Sequence, residues 1–103
     1  MGDDGELFQE MVTLLRSDAP RWFNVASGAE REGDPQRLQR AAHTLKGLTA
    51  NFGAHRAVAA AAAVEQLAKT QQSTGIPAAM AELKDALDEL LAALPHPQTI
   101  ATL

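Results

Sequence analysis

Apolar residues recur at helical spacing in every segment of this chain, and prolines and glycines separate the segments. Steps of three and four residues place side chains on one face of a helix, whereas strands show an alternation in steps of two that this sequence lacks. The pattern therefore predicts an all-α fold. It is clearest over residues 38–52, where one face consists of Leu38, Ala41, Ala42, Leu45, Leu48, Thr49 and Phe52.

Capping residues and prolines predict where the helices begin. Asp34 followed by Pro35 places an N-cap residue ahead of a proline in the first helical turn. Ser17-Asp18 followed by Pro20 has the same character and predicts a second helix after a short first one. The five predicted helices cover residues 4–16, 19–32, 35–52, 54–71 and 77–94.

The length and the composition indicate how these helices pack. A chain of 103 residues fits one domain, and its 21 alanines and four aromatic residues favour closely packed helices. Short connections between the helices favour an antiparallel arrangement. We expect an antiparallel four-helix bundle with an additional short N-terminal helix, in a single domain over 1–103 that is ordered over about 4–94 and has a tail at 95–103.

Charge and composition exclude several classes of protein. A net charge of −4 does not suit a surface that binds the phosphates of a nucleic acid. The sequence has no cysteine, so it forms no disulfides and no thiolate metal sites. It also has neither a run of about 18 apolar residues nor the features of a signal peptide. We expect a soluble, cytoplasmic monomer without direct membrane contact.

His43 is the first candidate functional residue. It lies about 200° around the helix axis from Leu45 and therefore faces away from the apolar stripe. An exposed imidazole, with an unperturbed pKa of about 6.5, is a nucleophile at cellular pH. If it accepts a phosphoryl group, Lys46 one turn later can stabilise the negative charge, and Gly47 leaves room for the approach. The geometry alone also fits a solvated helix face that happens to carry a histidine.

The motif around this histidine resembles a known family. The run "HTLKG" that begins at His43, followed by "FGA" from Phe52, is similar to the H-x-L-K-G run and the apolar-Gly-Ala step of histidine-containing phosphotransfer (HPt) domains. Val64-Glu65 stands where this family commonly has a Leu-Glu or similar pair in the next helix. The similarity extends over nearly the whole chain and is most specific between residues 33 and 65.

The resemblance implies a phosphoryl carrier of two-component phosphorelays that is not a kinase and binds no ATP. His43 would accept a phosphoryl group from an aspartyl phosphate on one receiver domain and pass it to the aspartate of another. Lys46 would stabilise the phosphoryl group, Gly47 would provide clearance, and Glu65 would hydrogen-bond the other ring nitrogen of His43. No intrinsic cofactor is expected, because the receiver domain would supply Mg²⁺.

Further residues complete the expected site. Lys69 either reaches the phosphoryl group or forms an i,i+4 pair with Glu65. Leu48 and Ala50 are expected on the surface that docks the receiver. The residues expected to border the site one turn before the histidine are Gln39 and Arg40.

Two features depart from the family pattern or suggest another kind of site. Ala57 and Val64 are smaller than the aliphatic residues usual at these positions, which predicts tighter packing of the two helices. His55 follows His43 at a spacing that no common zinc site shows, so no metal site is expected.

Alternative functions remain open at the level of the sequence. The chain could be the phosphoacceptor module of a chemotaxis-type histidine kinase, or a non-catalytic helical interaction module. It could also be one part of a hybrid sensor kinase. The sequence identifies neither the donor nor the acceptor.

Overall fold

The structure is a computed structural model that describes residues 3–94, with side chains from residue 5 onward. The predicted tail at 95–103 lies outside the described residues. The prediction of an all-α fold is confirmed, and no helix in this range is both long and apolar enough to cross a membrane. The elements are α1 (Asp3–Glu32), α2 (Pro35–Ala50), α3 (His55–Lys69), a 3₁₀ turn (Ser73–Gly75) and α4 (Ile76–Ala93).

The predicted break between the first two helices is wrong, because α1 runs without interruption through Pro20. Its buried stripe steps by three and four residues across the expected break and continues through the half-buried Trp22 and Phe23, so the same face meets the core on both sides. Pro20 is exposed inside the helix, where proline costs on the order of 3 kcal/mol, and burial of the continuous stripe outweighs that cost. The additional short N-terminal helix is therefore the first half of α1. The buried stripe consists of Val12, Leu15, Ala19, Ala26 and Ala29.

The start of α2 is fixed by the residues that predicted it. The carboxylate of Asp34 accepts a hydrogen bond from the backbone N–H of Arg37 over 3.1 Å, and Pro35 occupies the first turn. Gly33 adopts φ +68°, a left-handed conformation that glycine adopts without strain. The turn from α1 into α2 therefore places the later residues of α2 in a defined register.

The four helices contact one another in a ring that fits a four-helix bundle. α2 packs against α1 and α3, α3 packs against α4, and α4 returns to α1. Alanine dominates the buried face of α3, and its small side chains allow a close approach of the neighbouring backbones. This face consists of Ala57, Ala60, Ala61, Val64 and Ala68.

The end of α4 is held against the middle of α1. Arg16 donates hydrogen bonds to the backbone carbonyls of Leu91 and Leu94, over 2.9 and 2.7 Å. A cation in this position satisfies carbonyls that have no partner within the helix and complements the helix dipole. Because α1 has 30 residues and α4 has 18, the first half of α1 extends past the end of α4.

An ion-pair cluster joins α3 to α4 on the surface. The guanidinium of Arg56 lies 2.8 Å from a carboxylate oxygen of each of Glu82, Asp85 and Glu89. Arg56 donates hydrogen bonds to all three carboxylates, and these bonds, with the one to Glu82 contributing most, raise the pKa of Arg56. The three acidic residues follow one another in steps of three and four, so one arginine on the facing helix contacts all of them.

Candidate functional site

The structure places His43 on the exposed face of α2. Its side chain is 68% exposed, whereas Ala42 and Leu45 beside it are buried. This orientation agrees with the position of His43 relative to the apolar stripe, because residues two positions apart lie about 200° apart around a helix. The imidazole is therefore accessible to another molecule.

Glu65 of α3 connects His43 to Lys46. Its Oε2 atom lies 2.8 Å from Nδ1 of His43, and its Oε1 atom lies 2.8 Å from Nζ of Lys46. Close packing of α2 against α3 brings Glu65 to this position, although 22 residues separate it from His43 along the chain. One carboxylate thus holds two side chains of the neighbouring helix.

The surroundings of Glu65 keep its carboxylate ionised. The hydrogen bond from Lys46 is the main cause that lowers the pKa of Glu65, and the hydrogen bond from His43 acts in the same direction. Burial opposes them, since the side chain is only 18% exposed, but the resulting pKa is below the usual value of 4.5. At neutral pH this carboxylate therefore carries a negative charge.

The ionised carboxylate determines which ring nitrogen of His43 carries the hydrogen. An ionised carboxylate only accepts hydrogen bonds, so Nδ1 of His43 must be the donor to Glu65. In the neutral imidazole the other nitrogen, Nε2, then has the free lone pair. The arrangement leaves Nε2 as a nucleophile on an exposed ring.

Gly47 leaves open space beside His43. A Cβ atom built at this position meets no atom within 4 Å. The residue lies inside α2 and has no left-handed backbone, so neither packing nor conformation within the described residues requires a glycine here. Alanine would give a more stable helix by about 1 kcal/mol. The glycine therefore keeps the surface next to the imidazole flat.

The other predicted residues differ in their positions. Arg40 and Ala50 are exposed on the same side of α2 as His43, and Gln39 is half-buried beside them. Leu48 is half-buried and packs against the core, about 140° around the helix from His43. The structure thus brings His43, Lys46 and Glu65 together with an exposed strip of α2, and it turns Leu48 towards the core.

The ion pair between Lys46 and Glu65 was not predicted from the sequence. The i,i+4 spacing allows a pair of Glu65 with Lys69, but in the structure both oxygens of Glu65 contact residues of α2, and Lys69 is exposed. Spacing along one helix could not reveal a pair between two helices. The sequence indicates this pair only indirectly. If Glu65 reaches His43, it also lies close to Lys46, which follows His43 by one helical turn.

The described residues contain no group of three or more His, Cys, Asp or Glu side chains that could hold a metal ion. His55 lies exposed at the start of α3.

Comparison with known proteins identifies the family. A family model described as Hpt domain matches residues 6–93. Neither a curated protein nor a solved structure matches the chain. Hpt domains are histidine phosphotransfer modules of phosphorelays, which exchange phosphoryl groups with receiver domains and are phosphocarriers, not kinases. The match extends from the first half of α1 to the end of α4 and includes the His43 site, so the chain belongs to the Hpt domain family.

Proposed function

We propose that His43 accepts a phosphoryl group from the aspartyl phosphate of one receiver domain and passes it to the aspartate of a second receiver. The observation that carries this proposal is the 2.8 Å hydrogen bond between Nδ1 of His43 and the ionised Glu65. In the neutral imidazole this bond leaves the lone pair on Nε2, and the ring is 68% exposed. A nucleophile that must meet an aspartate on another protein requires this accessibility.

The transfer exchanges one phosphorus bond for another. The lone pair of Nε2 forms a bond to phosphorus while the bond from phosphorus to the aspartate oxygen breaks, and the aspartate leaves as a carboxylate. The ring gains positive charge and keeps its Nδ1 hydrogen, which Glu65 accepts. The return step reverses these events on the second receiver. Mg²⁺ comes from the receiver domain and stabilises the phosphoryl oxygens there.

Lys46 contributes a positive charge within one helical turn of His43. In the unphosphorylated protein its ammonium group is paired with Glu65 over 2.8 Å. A phosphoryl group on Nε2 offers a second anion close by, and the flexible lysine side chain can move to it. Lys46 therefore stabilises the phosphorylated form after exchanging one anionic partner for another.

The receiver docks on the face of α2 that carries His43. Gly47 and Ala50 present no long side chains on this face, and Arg40 borders it. Gln39 and the exposed edge of Leu48 lie at its margin. The docked complex is short-lived, because charging and discharging of the histidine require two different partners in turn, and the carrier itself acts as a monomer.

Phosphoryl transfer from a panel of phosphorylated receiver domains in Mg²⁺ tests this function. The readout is acid-labile, base-stable phosphate on the chain, which is the behaviour of phosphohistidine. His43→Gln removes the proposed acceptor, and His55→Gln is the matched control because it removes another exposed histidine. We expect label on the wild type and on His55→Gln, and none on His43→Gln.

Two results would contradict the proposal. Label that persists on His43→Gln would place the phosphate on another residue. Absence of label on every variant, with donors that phosphorylate a reference Hpt domain in the same assay, would leave a helical module without phosphotransfer.

A further inference from the structure

The end of the bundle where α1 turns into α2 holds an open cavity of about 380 Å³. The connection from α3 to α4 closes its other side with two exposed polar residues, Gln71 and Ser73. The floor is apolar and consists of the buried side chains of Ala29, Leu38 and Ile76. A concave site of this size, with an apolar floor and a few polar groups, is typical of sites that bind a small molecule.

Two carboxylates line the cavity from the connection between α1 and α2. Glu30 and Asp34 are both half-buried there. Asp34 uses one oxygen to accept the backbone N–H of Arg37, whose guanidinium pairs with Glu32 over 2.9 Å. No lysine or arginine among residues 3–94 forms an ion pair with Glu30 or Asp34. The cavity therefore combines an apolar floor with two negative charges that lack a cationic partner in this part of the chain.

The helix ends at this cavity do not reverse its preference for a cation. α2 and α4 both begin here, and a helix N-terminus favours an anion through its partial positive charge. The carboxylate of Asp34 already caps α2, and Pro77 in the first turn of α4 has no N–H to donate. Two full negative charges outweigh the partial positive charge that remains.

We infer that this cavity binds a small organic cation with an apolar body, such as an arylalkyl amine. The ammonium group lies between Glu30 and Asp34, and the apolar body covers Leu38 and Ile76. Recognition requires both parts of the ligand, because the cavity offers charge at one side and apolar area at its floor. The inference does not depend on phosphotransfer at His43.

The cavity is separate from the phosphotransfer site. From Pro35 at the cavity to His43, α2 advances by about 12 Å at 1.5 Å per residue. His43, Lys46 and Glu65 do not line the cavity. A bound cation therefore leaves the imidazole accessible, and binding can be measured without phosphorylation.

Titration of the full chain with four small molecules tests the inference. Phenethylammonium has both the charge and the ring, phenethyl alcohol lacks the charge, methylammonium lacks the ring, and phenylpropionate carries the opposite charge. Binding is mapped by NMR shifts of the backbone amides. We expect phenethylammonium to shift residues 29–38 and 71–77 with a dissociation constant on the order of 1 mM. Each of the other three should bind about tenfold more weakly or worse.

Substitution of the two carboxylates isolates their contribution. The double variant Glu30→Gln, Asp34→Asn keeps the size of both side chains, and asparagine caps a helix as well as aspartate does. We expect it to bind phenethylammonium about tenfold more weakly than the wild type and phenethyl alcohol equally well. The matched control, Glu6→Gln with Glu10→Gln, removes the same charge from α1 outside the cavity and should retain the wild-type affinity. Circular dichroism checks the folding of both variants.

Four results would overturn the inference. Equal binding of phenethylammonium and phenethyl alcohol would show that the carboxylates take no part. Tighter binding of phenylpropionate would show that the helix N-termini set the preference for charge. Equal losses of affinity in the double variant and its control would show unspecific attraction to negative charge. Absence of shifts at residues 29–38 and 71–77 up to saturating phenethylammonium would show that the cavity does not bind this class of ligand.

Discussion

At the scale of single residues, Glu65 links the chemistry of two others. Its carboxylate accepts hydrogen bonds from His43 and Lys46, so it both orients the imidazole and holds the lysine. The outward direction of His43 followed from helix geometry, and the contact of Glu65 with the ring followed from a family resemblance. The pair between Lys46 and Glu65 joins two helices, and no spacing in the sequence encodes a distance between helices.

Glu65→Gln tests whether this carboxylate sets the tautomer of His43. An amide can donate as well as accept, so Nδ1 of His43 no longer has to carry the hydrogen. We expect the ¹⁵N shifts of the His43 ring to change from one tautomer to a mixture, and phosphorylation by a receiver to slow by about 10- to 100-fold. Glu82→Gln, which removes an exposed carboxylate from α4, is the control and should change neither measurement.

The lowered pKa of Glu65 also predicts a pH dependence of stability. The pKa in the folded protein is below the unfolded value of 4.5, so the unfolded chain binds more protons as the pH falls below 4.5. The contribution of Glu65 to the free energy of unfolding is present above pH 4.5 and is lost as the pH falls through the pKa of Glu65 in the folded protein. Urea titrations of the wild type and Glu65→Gln should show a stability difference that shrinks in acid. A difference that stays constant with pH would contradict this assignment.

Gly47→Ala separates stability from function at one position. The added methyl group meets no atom of the described structure, so the free energy of unfolding should increase by about 1 kcal/mol. Phosphoryl transfer should slow, because the methyl group narrows the approach to His43. Ala81→Gly, on the exposed side of α4, is the reverse control: it should lower stability by a similar amount and leave transfer unchanged. A Gly47→Ala protein that transfers the phosphoryl group as fast as the wild type, or faster, would contradict the proposal that Gly47 provides clearance for the approach to His43.

At the scale of helices, a capping residue followed by a proline predicted one helix start correctly and one wrongly. Asp34 and Pro35 begin α2 as expected. The similar signal at Ser17, Asp18 and Pro20 misled, because the apolar stripe of α1 keeps its register across it. Burial of one continuous apolar face of α1 therefore outweighs the preference of proline for the first turn of a helix.

Pro20→Ala measures the cost of this proline. Inside a continuous helix the alanine restores a backbone N–H and removes a steric clash, so the free energy of unfolding should increase by about 1–3 kcal/mol. At the first turn of a separate helix the same change would have little effect, because proline is favoured there. Urea denaturation of the two proteins distinguishes these cases. An unchanged or lowered stability would contradict a continuous α1.

At the scale of the whole molecule, the all-α class and the close packing of alanine-rich helices followed from the sequence alone. Small residues dominate the buried face of α3, and this packing brings Glu65 to His43. The overlap of α1 beyond α4 was not predictable, because it depends on the interhelical bonds of Arg16 and on a helix that continues through Pro20. Those same two features expose Leu7 and Leu14.

We propose that the whole bundle presents Nε2 of His43 for phosphorylation. The most direct measurement is NMR of the phosphorylated protein with ¹⁵N-labelled histidine, in which the coupling between phosphorus and nitrogen identifies the bonded atom. We expect coupling to Nε2 of His43, with the hydrogen retained on Nδ1 beside Glu65. Phosphorus bonded to Nδ1 of His43, or to any other residue, would contradict it.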